Sequence, residues 1–166
     1  MTGPGGRLWA GWRSAYVEQA AEDDAGEPCV FCRILAGDVD EQVVWRSDVA
    51  AVLLNRFPYT SGHLLAMPVR HVGEAEDLTA GEGAAVWAAV TDAVRALKAA
   101  YRPDGLNIGA NLGRPAGAGI PGHFHLHVLP RWNGDTNFMT TVADVRVMPE
   151  TLAASYAKVR TAWPVS

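Results

Sequence analysis

Apolar and polar positions follow two periods along this chain, and the switches between them mark out its elements. Over 7–21, Leu8, Trp9, Trp12 and Tyr16 fall on one side at helical spacing. That predicts an amphipathic helix, or an arm whose aromatic stripe packs on the body or on a second subunit. The acidic, glycine-containing run 22–27 reads as a linker. Pro28 introduces Cys29-Val30-Phe31-Cys32, followed by the short apolar Ile34-Leu35 and a turn at Gly37-Asp38. Val43-Val44-Trp45 predicts a strand, Arg46-Ser47-Asp48 a turn, and Val49 to Leu54 the returning strand of a hairpin. A loop of turn formers at 55–62 leads to a strand from His63 to Met67, closed by Pro68.

Helical spacing returns after Thr79, where Glu82 three residues on completes a capping-box pattern. Val86, Trp87, Val90, Val94, Leu97 and Tyr101 form the predicted buried face, and Pro103-Asp104-Gly105 stops the helix. Leu106 to Asn111 alternates again, with Leu106, Ile108 and Ala110 on one side. The stretch from His123 to Val128 alternates too, with Phe124, Leu126 and Val128 as the inward set. A last helix is expected over 150–161, with Leu152, Tyr156 and Val159 on one side. The order of elements predicts an antiparallel α+β layer. Residues 1–27 form an arm and linker, 28–138 the principal domain, and 139–166 a C-terminal extension with a helix.

Composition narrows the class. With 166 residues, 49% hydrophobic and 19% charged, the chain fits one globular domain with a core of ordinary size. The longest apolar runs, such as Ala50 to Leu54, are too short to cross a bilayer, and the segment from Met1 to Gly6 has no leader-like apolar stretch. No membrane partner is expected. A net charge of −4 argues against a general nucleic-acid surface. The two cysteines, spaced Cys-x-x-Cys without secretory context, point to a reducing cytoplasm.

The candidate chemistry lies in His123-Phe124-His125-Leu126-His127. Three of the chain's 5 histidines alternate here. By composition alone that is on the order of a one-in-two-thousand accident. On a half-buried strand the three imidazoles would share one face, about 6.6 Å apart. Imidazole is a nucleophile and a proton carrier near neutral pH, and a backbone carbonyl can hold one ring N–H while the other nitrogen keeps a free lone pair. Just upstream, the stretch from Gly113 to Gly122 holds four glycines and two prolines. Its backbone N–H groups could converge on an anion. Together the two features suggest attack by a histidine on phosphorus.

Asn111-Leu112-Gly113, Ala116-Gly117 and the run from His123 to Arg131 resemble the signature of the histidine triad family. Leu54-Asn55-Arg56-Phe57-Pro58, leading into Gly62-His63-Leu64-Leu65-Ala66-Met67-Pro68, resembles that family's nucleotide-side strand pair. The resemblance runs from about Cys29 to Trp132. It implies a five-stranded antiparallel sheet with a long helix and terminal helices, a homodimer or higher homo-oligomer, and cleavage of nucleoside phosphates through a nucleotidyl-histidine intermediate. By position His125 would be the nucleophile, and His127 would bond the phosphate and help the leaving group. His123 would orient the set, with His63 close to it. Asn55 would contact ribose, while Asn111 and the backbone of Gly117, Ala118 and Gly119 would hold phosphate oxygens.

Arg7-Leu8-Trp9 and Pro130-Arg131-Trp132-Asn133-Gly134-Asp135-Thr136-Asn137-Phe138 resemble the branch that cleaves diadenosine tetraphosphate with inorganic phosphate, giving ADP and ATP. The chain departs from the wider family at Gly119, where many members carry Gln or Ser, which leaves phosphate or water open as the acceptor. A hydrolase or phosphoramidase, a non-catalytic nucleotide sensor and a zinc-dependent interaction module are the rival readings.

Taken alone, Cys29 and Cys32 fit a redox pair, half a zinc site or two packed thiols. The resemblance favours a structural zinc completed by His71 and His123, which would remove His123 from acid/base work. No redox cofactor is implied. Trp9, Trp12, Trp45 and Trp87 suit core or interface positions. Trp132 suits substrate or dimer contact, and Arg56 and Arg131 could balance a polyphosphate.

Overall fold

The computed structural model describes residues 28–39, 42–135 and 148–164. The expected N-terminal helix with Leu8, Trp9, Trp12 and Tyr16, its linker and the segment 136–138 lie outside the described residues.

Five strands form one antiparallel sheet: β1 Val43–Arg46, β2 Ala50–Leu54, β3 Leu64–Pro68, β4 Gly105–Gly109 and β5 Leu126–Arg131, in the spatial order β1-β2-β3-β5-β4. The α+β reading holds. All five residues of β2 and of β3 are buried, because both sheet faces are covered. Val52, Leu54, Leu64, Ala66 and Val128 point to one side, and Ala51, Leu53, Leu65 and Met67 to the other.

The first face packs on α2, Ala80–Tyr101, and on α3, Leu152–Ala162. The expected cap is present: Glu82 N–H donates to Thr79 Oγ1 at 3.2 Å, and Glu82 Oε2 accepts from Thr79 N–H at 2.8 Å. The buried face of α2 is built from small residues, Ala89, Ala93 and Ala96 beside Val86, Val90 and Leu97. Trp87, placed inward by the sequence pattern, is instead 58% exposed. The alanine stripe lets the helix approach the sheet, and an indole one position away points elsewhere. Arg102, with φ 46°, ends the helix before Pro103. On α3, the Thr151 hydroxyl accepts from Ala154 N–H, and Trp163, which follows the helix, stacks on Trp45 at 6.1 Å.

The second face is covered by α1, Val30–Ala36, a helix the sequence pattern did not suggest. Seven residues are too few to show a helical period, and only burial of Phe31, Ile34 and Leu35 against the sheet stabilises it.

The histidine segment departs from expectation. β5 starts at Leu126, so His123 and His125 precede the strand. Register explains this: Leu64 pairs Val128 and Ala66 pairs Leu126, so Pro68 would be next, and it has no N–H to give. The chain peels away, and Phe124 N–H donates to Val72 O at 2.6 Å. At the sheet's outer edge β4 leaves Ile108 exposed. No helix among the described residues is long and apolar enough to cross a membrane.

Two glycines make the packing testable. A Cβ on Gly62, at φ 76°, would sit 2.6 Å from Tyr101 Cε2, whereas one on Gly37, at φ 86°, meets nothing within 4 Å. Gly37→Ala should cost about 1 kcal/mol for its backbone alone. Gly62→Ala should cost roughly 2–4 kcal/mol, since ring displacement adds to the strain. Urea unfolding of the two variants checks the difference.

Candidate active site and metal cluster

The peeled segment brings four imidazoles together on the α1 face of the sheet. His63, His123, His125 and His127 are all buried, more than the half-buried strand expected for this segment. Alternation still holds in direction: Phe124 and Leu126 pack toward α2, while Phe31 of α1 meets the rings of His123 at 5.6 Å and His125 at 5.2 Å. The His125 and His127 rings are 5.1 Å apart, nearer than two ideal strand positions, because they lean together where the strand begins.

Hydrogen bonds assign each ring its tautomer. The His123 carbonyl accepts from His125 Nδ1 at 2.8 Å, which leaves His125 Nε2 with a lone pair. Tyr59 N–H donates to His63 Nδ1 at 3.1 Å, joined by Asn55 Nδ2 at 3.2 Å. His63 must therefore carry its proton on Nε2, and it donates to His127 Nδ1 at 2.9 Å. That leaves the proton of His127 on Nε2, a buried atom without a hydrogen-bond partner among the described residues. A buried donor kept without a partner points to a ligand. The site thus offers a nucleophilic nitrogen beside an unused donor. His63 was expected near His123. It sits instead against His127, because β3 pairs with β5 and Leu65 lies opposite His127.

Burial also sets charge. Desolvation lowers the pKa of His125, and it lowers that of His127 to about 4, with the neighbouring His125 adding to the effect. His127 is therefore neutral at pH 7, and burial favours the neutral ring of His125 as well.

The remaining expected residues are placed as follows. Asn55 accepts Phe57 N–H on Oδ1 at 3.0 Å and turns Nδ2 to His63. Asn111 Nδ2 braces the glycine loop by donating to Gly117 O at 3.3 Å. Within that loop Gly117 N–H donates to Arg114 O and Ala118 N–H to Gly113 O, so both amides serve the loop's own shape. Gly119 is exposed, directly after the buried Ala118. Arg131 is held by Asp135 and Asn107 at the sheet edge, Arg56 lies over Phe57, and Trp132 meets Tyr101 edge-on at 6.0 Å. The sequence reading missed Tyr59, whose ring lies 4.7 Å from His63 and 5.9 Å from His127, and Phe31. Only position marked them: one lies four residues before His63, the other between the two cysteines.

Cys29, Cys32, His71 and His123 converge, with all four potential ligand atoms within 4.8 Å of one another. Cys29 lies at the start of α1 and Cys32 in its first turn, so i,i+3 spacing puts both thiols on one side. His123 Nε2 donates to Pro68 O at 2.9 Å, so its Nδ1 lone pair faces Cys29 Sγ at 3.5 Å and Cys32 Sγ at 3.7 Å; His71 Nδ1 lies 3.4 Å from Cys32 Sγ. Tetrahedral zinc with ordinary bond lengths separates nitrogen and sulfur ligands by about 3.6 Å. The donor set fits such an ion, with the Pro68 carbonyl as the outer partner of His123. Burial would raise the Cys29 thiol pKa, but the His123 and backbone hydrogen bonds outweigh it and bring it to about 6. The group could therefore hold a metal.

A five-stranded sheet carrying a buried row of imidazoles beside a Cys₂His₂ cluster defines the class. Residues 36–134 match the HIT domain, so the chain belongs to the histidine triad family. It is similar to a Mycobacterium tuberculosis protein named AP-4-A phosphorylase, 37% identical over 95% of this chain and 84% of that one. A Bacillus subtilis relative named Protein hit is 31% identical, over 68% of this chain and 77% of its own length. Among solved structures, a zinc-bound histidine triad family protein from Mycobacterium smegmatis superposes with a TM-score of 0.68 at 32% identity, covering 81% of this chain and 91% of that one.

The His127 ring gives a pH prediction. Its pKa falls from 6.5 to about 4 on burial, so the unfolded chain binds more protons between those values. The stability tied to a neutral His127 is complete above about pH 6.5 and is lost as the pH falls towards 4. Urea titrations of the wild type and His127→Gln from pH 7 to pH 5 should diverge, the variant losing less. Parallel curves would contradict a buried neutral His127.

Proposed function

We propose that the chain is a nucleotidyltransferase acting at the α-phosphate of a dinucleoside polyphosphate, and that it cleaves diadenosine tetraphosphate to ADP and ATP with inorganic phosphate. The observation that carries this reading is the pairing of a lone pair on His125 Nε2 with an unpartnered N–H on His127 Nε2. Likeness over nearly the whole chain to a protein named AP-4-A phosphorylase supports the substrate class.

His125 Nε2 attacks the α-phosphorus as the bond to the bridging oxygen breaks. ATP leaves, and AMP remains on the imidazole. Inorganic phosphate then attacks the phosphorus of AMP–His125, the P–N bond breaks, and ADP departs. The His123 carbonyl keeps the Nδ1 proton of His125 in place and spreads the positive charge that develops on the ring. His127 donates to a phosphoryl oxygen or to the leaving oxygen, and His63 keeps His127 in the tautomer that can do so. A neutral nucleophile suits the first step, and burial excludes the proton that would block it.

Asn55 has a second Nδ2–H for a ribose hydroxyl, and Asn111 holds the glycine loop in the shape that its Gly117 and Ala118 amides maintain, so that the expected backbone contact to a phosphate oxygen falls to Gly119. Cys29, Cys32, His71 and His123 hold zinc as a structural ion, which ties α1 to the histidine segment. The chain works in the cytoplasm as a homodimer.

Water is the competing acceptor. Gly119 favours it, since no side chain there assists an incoming phosphate. The wild type should form ADP from diadenosine tetraphosphate only when phosphate is present; AMP release in buffer alone would make the chain a hydrolase. An α-labelled nucleotide should leave an acid-labile label on the protein. His125→Ala should abolish the label and lower turnover by at least about 10³-fold. A chain that binds AMP and never labels would be a sensor.

Metal analysis of the purified protein should find about one zinc per chain, falling below about a tenth in Cys32→Ser. Light scattering of the same sample should give twice the chain mass. Full activity in a zinc-free, folded wild type would remove the ion from this account.

A further inference from the structure

We infer that the turn from Cys29 to Cys32 is a positioning element for the nucleophile. It acts through His123, whose carbonyl sets the His125 tautomer, and through Phe31, which braces the His125 ring. This rests on His125 being the nucleophile, as proposed above.

One residue faces both sites. The Nδ1 of His123 lies 3.5 Å and 3.7 Å from the two cysteine sulfurs, and the carbonyl of the same residue accepts the Nδ1 proton of His125 at 2.8 Å. Its remaining ring nitrogen is tied to Pro68 O at 2.9 Å. The His123 side chain is thus fixed at both nitrogens, and little freedom remains for the adjoining carbonyl. His123 and His125 lie outside the sheet ladder, since β5 begins at Leu126. Strand hydrogen bonds therefore do not hold that carbonyl in place.

Phe31 supplies the second hold. It is 5% exposed, lies between the two cysteines, and stands edge-on to both His123, at an interplanar angle of 87°, and His125, at 68°. A backbone hydrogen bond fixes which nitrogen of His125 carries the proton, and an edge-on aromatic contact limits rotation of the ring about its own bonds. A nucleophile must meet both conditions, since a flipped tautomer presents an N–H where a lone pair is needed. The other flank is equally close. A Cβ on Gly73 would sit 3.0 Å from Pro121 O, so the segments after β3 and before His123 are packed backbone to backbone. The two cysteines, His71 and the histidine segment then move as one body. The sequence motif Cys-x-x-Cys accordingly does more than hold an ion: it carries Phe31 to the nucleophile.

The test uses the full chain loaded with zinc. Long-range proton–nitrogen NMR of the histidine rings at neutral pH reports the tautomer of His125. The wild type should show a single Nδ1–H form. Phe31→Leu, which keeps an apolar side chain and all four metal ligands, should retain its zinc but show exchange broadening or mixed tautomers at His125. Its kcat for diadenosine tetraphosphate should fall at least about tenfold, with KM changed less than about threefold. Val30→Ala, in the same turn but 39% exposed, should leave tautomer and kcat unchanged.

Replacing zinc by cadmium, a larger thiophilic ion, in the folded wild type should shift the His125 ring signals more than those of His63. A Phe31→Leu protein with zinc bound, a single His125 tautomer and kcat within twofold of the wild type would overturn the Phe31 half. Unmoved His125 signals on cadmium exchange would overturn the His123 half, and would do so even if the variant failed to fold. If wild-type His125 never becomes adenylylated, the functional reading fails, while the NMR results still decide this one.

Discussion

Four imidazoles are taken out of water on one face of this sheet, and the rest of the site follows from the need to keep their ring nitrogens hydrogen-bonded. Burial disfavours the charged ring at His125 and His127, and a buried imidazole must place its ring N–H against an acceptor or toward a ligand. The chain meets that demand with backbone groups. The carbonyls of Pro68 and His123 accept from His123 and His125, and the amide of Tyr59 donates to His63. Backbone donors and acceptors keep a fixed polarity, so each ring hydrogen-bonded to them is biased to one tautomer. The Nε2 proton of His127 is left without a partner among the described residues.

This arrangement depends on where β5 stops pairing with β3. Pro68 cannot continue the ladder, and its carbonyl is released to hold His123 while Phe124 finds Val72. A single proline therefore separates the part of the segment that belongs to the sheet, His127, from the part that belongs to the site and the cluster, His123 and His125. The same departure brings His71, three residues beyond Pro68, to the cysteines.

The two faces of the sheet divide the work. The α2 and α3 side carries most of the core, with small residues that let a long helix lie close. The α1 side is thinner, and its apolar cluster of Phe31, Ile34, Leu35, Leu65 and Met67 stops where the histidines begin. Stability from the first face lets the second hold polar groups in conformations that would be costly on their own.

Much of this was legible in the residues alone. The strands, the capped helix, the alternation of His123, His125 and His127 and the cluster of Cys29, Cys32, His71 and His123 rest on local spacing or on motif, and both survive in a linear reading. Helix α1 was not legible, because seven residues carry no period and only burial against the sheet makes them helical. Trp87 was misjudged because a single helical stripe cannot tell which of two neighbouring apolar residues meets the sheet; the alanines decided that. The partner of His63 was misassigned for a related reason. Sequence shows that four histidines belong together, but strand order and register choose which pairs touch, and that pairing sets the proton on His127. Local chemistry is written along the chain, whereas tautomer and contact are fixed only when distant segments close on one another.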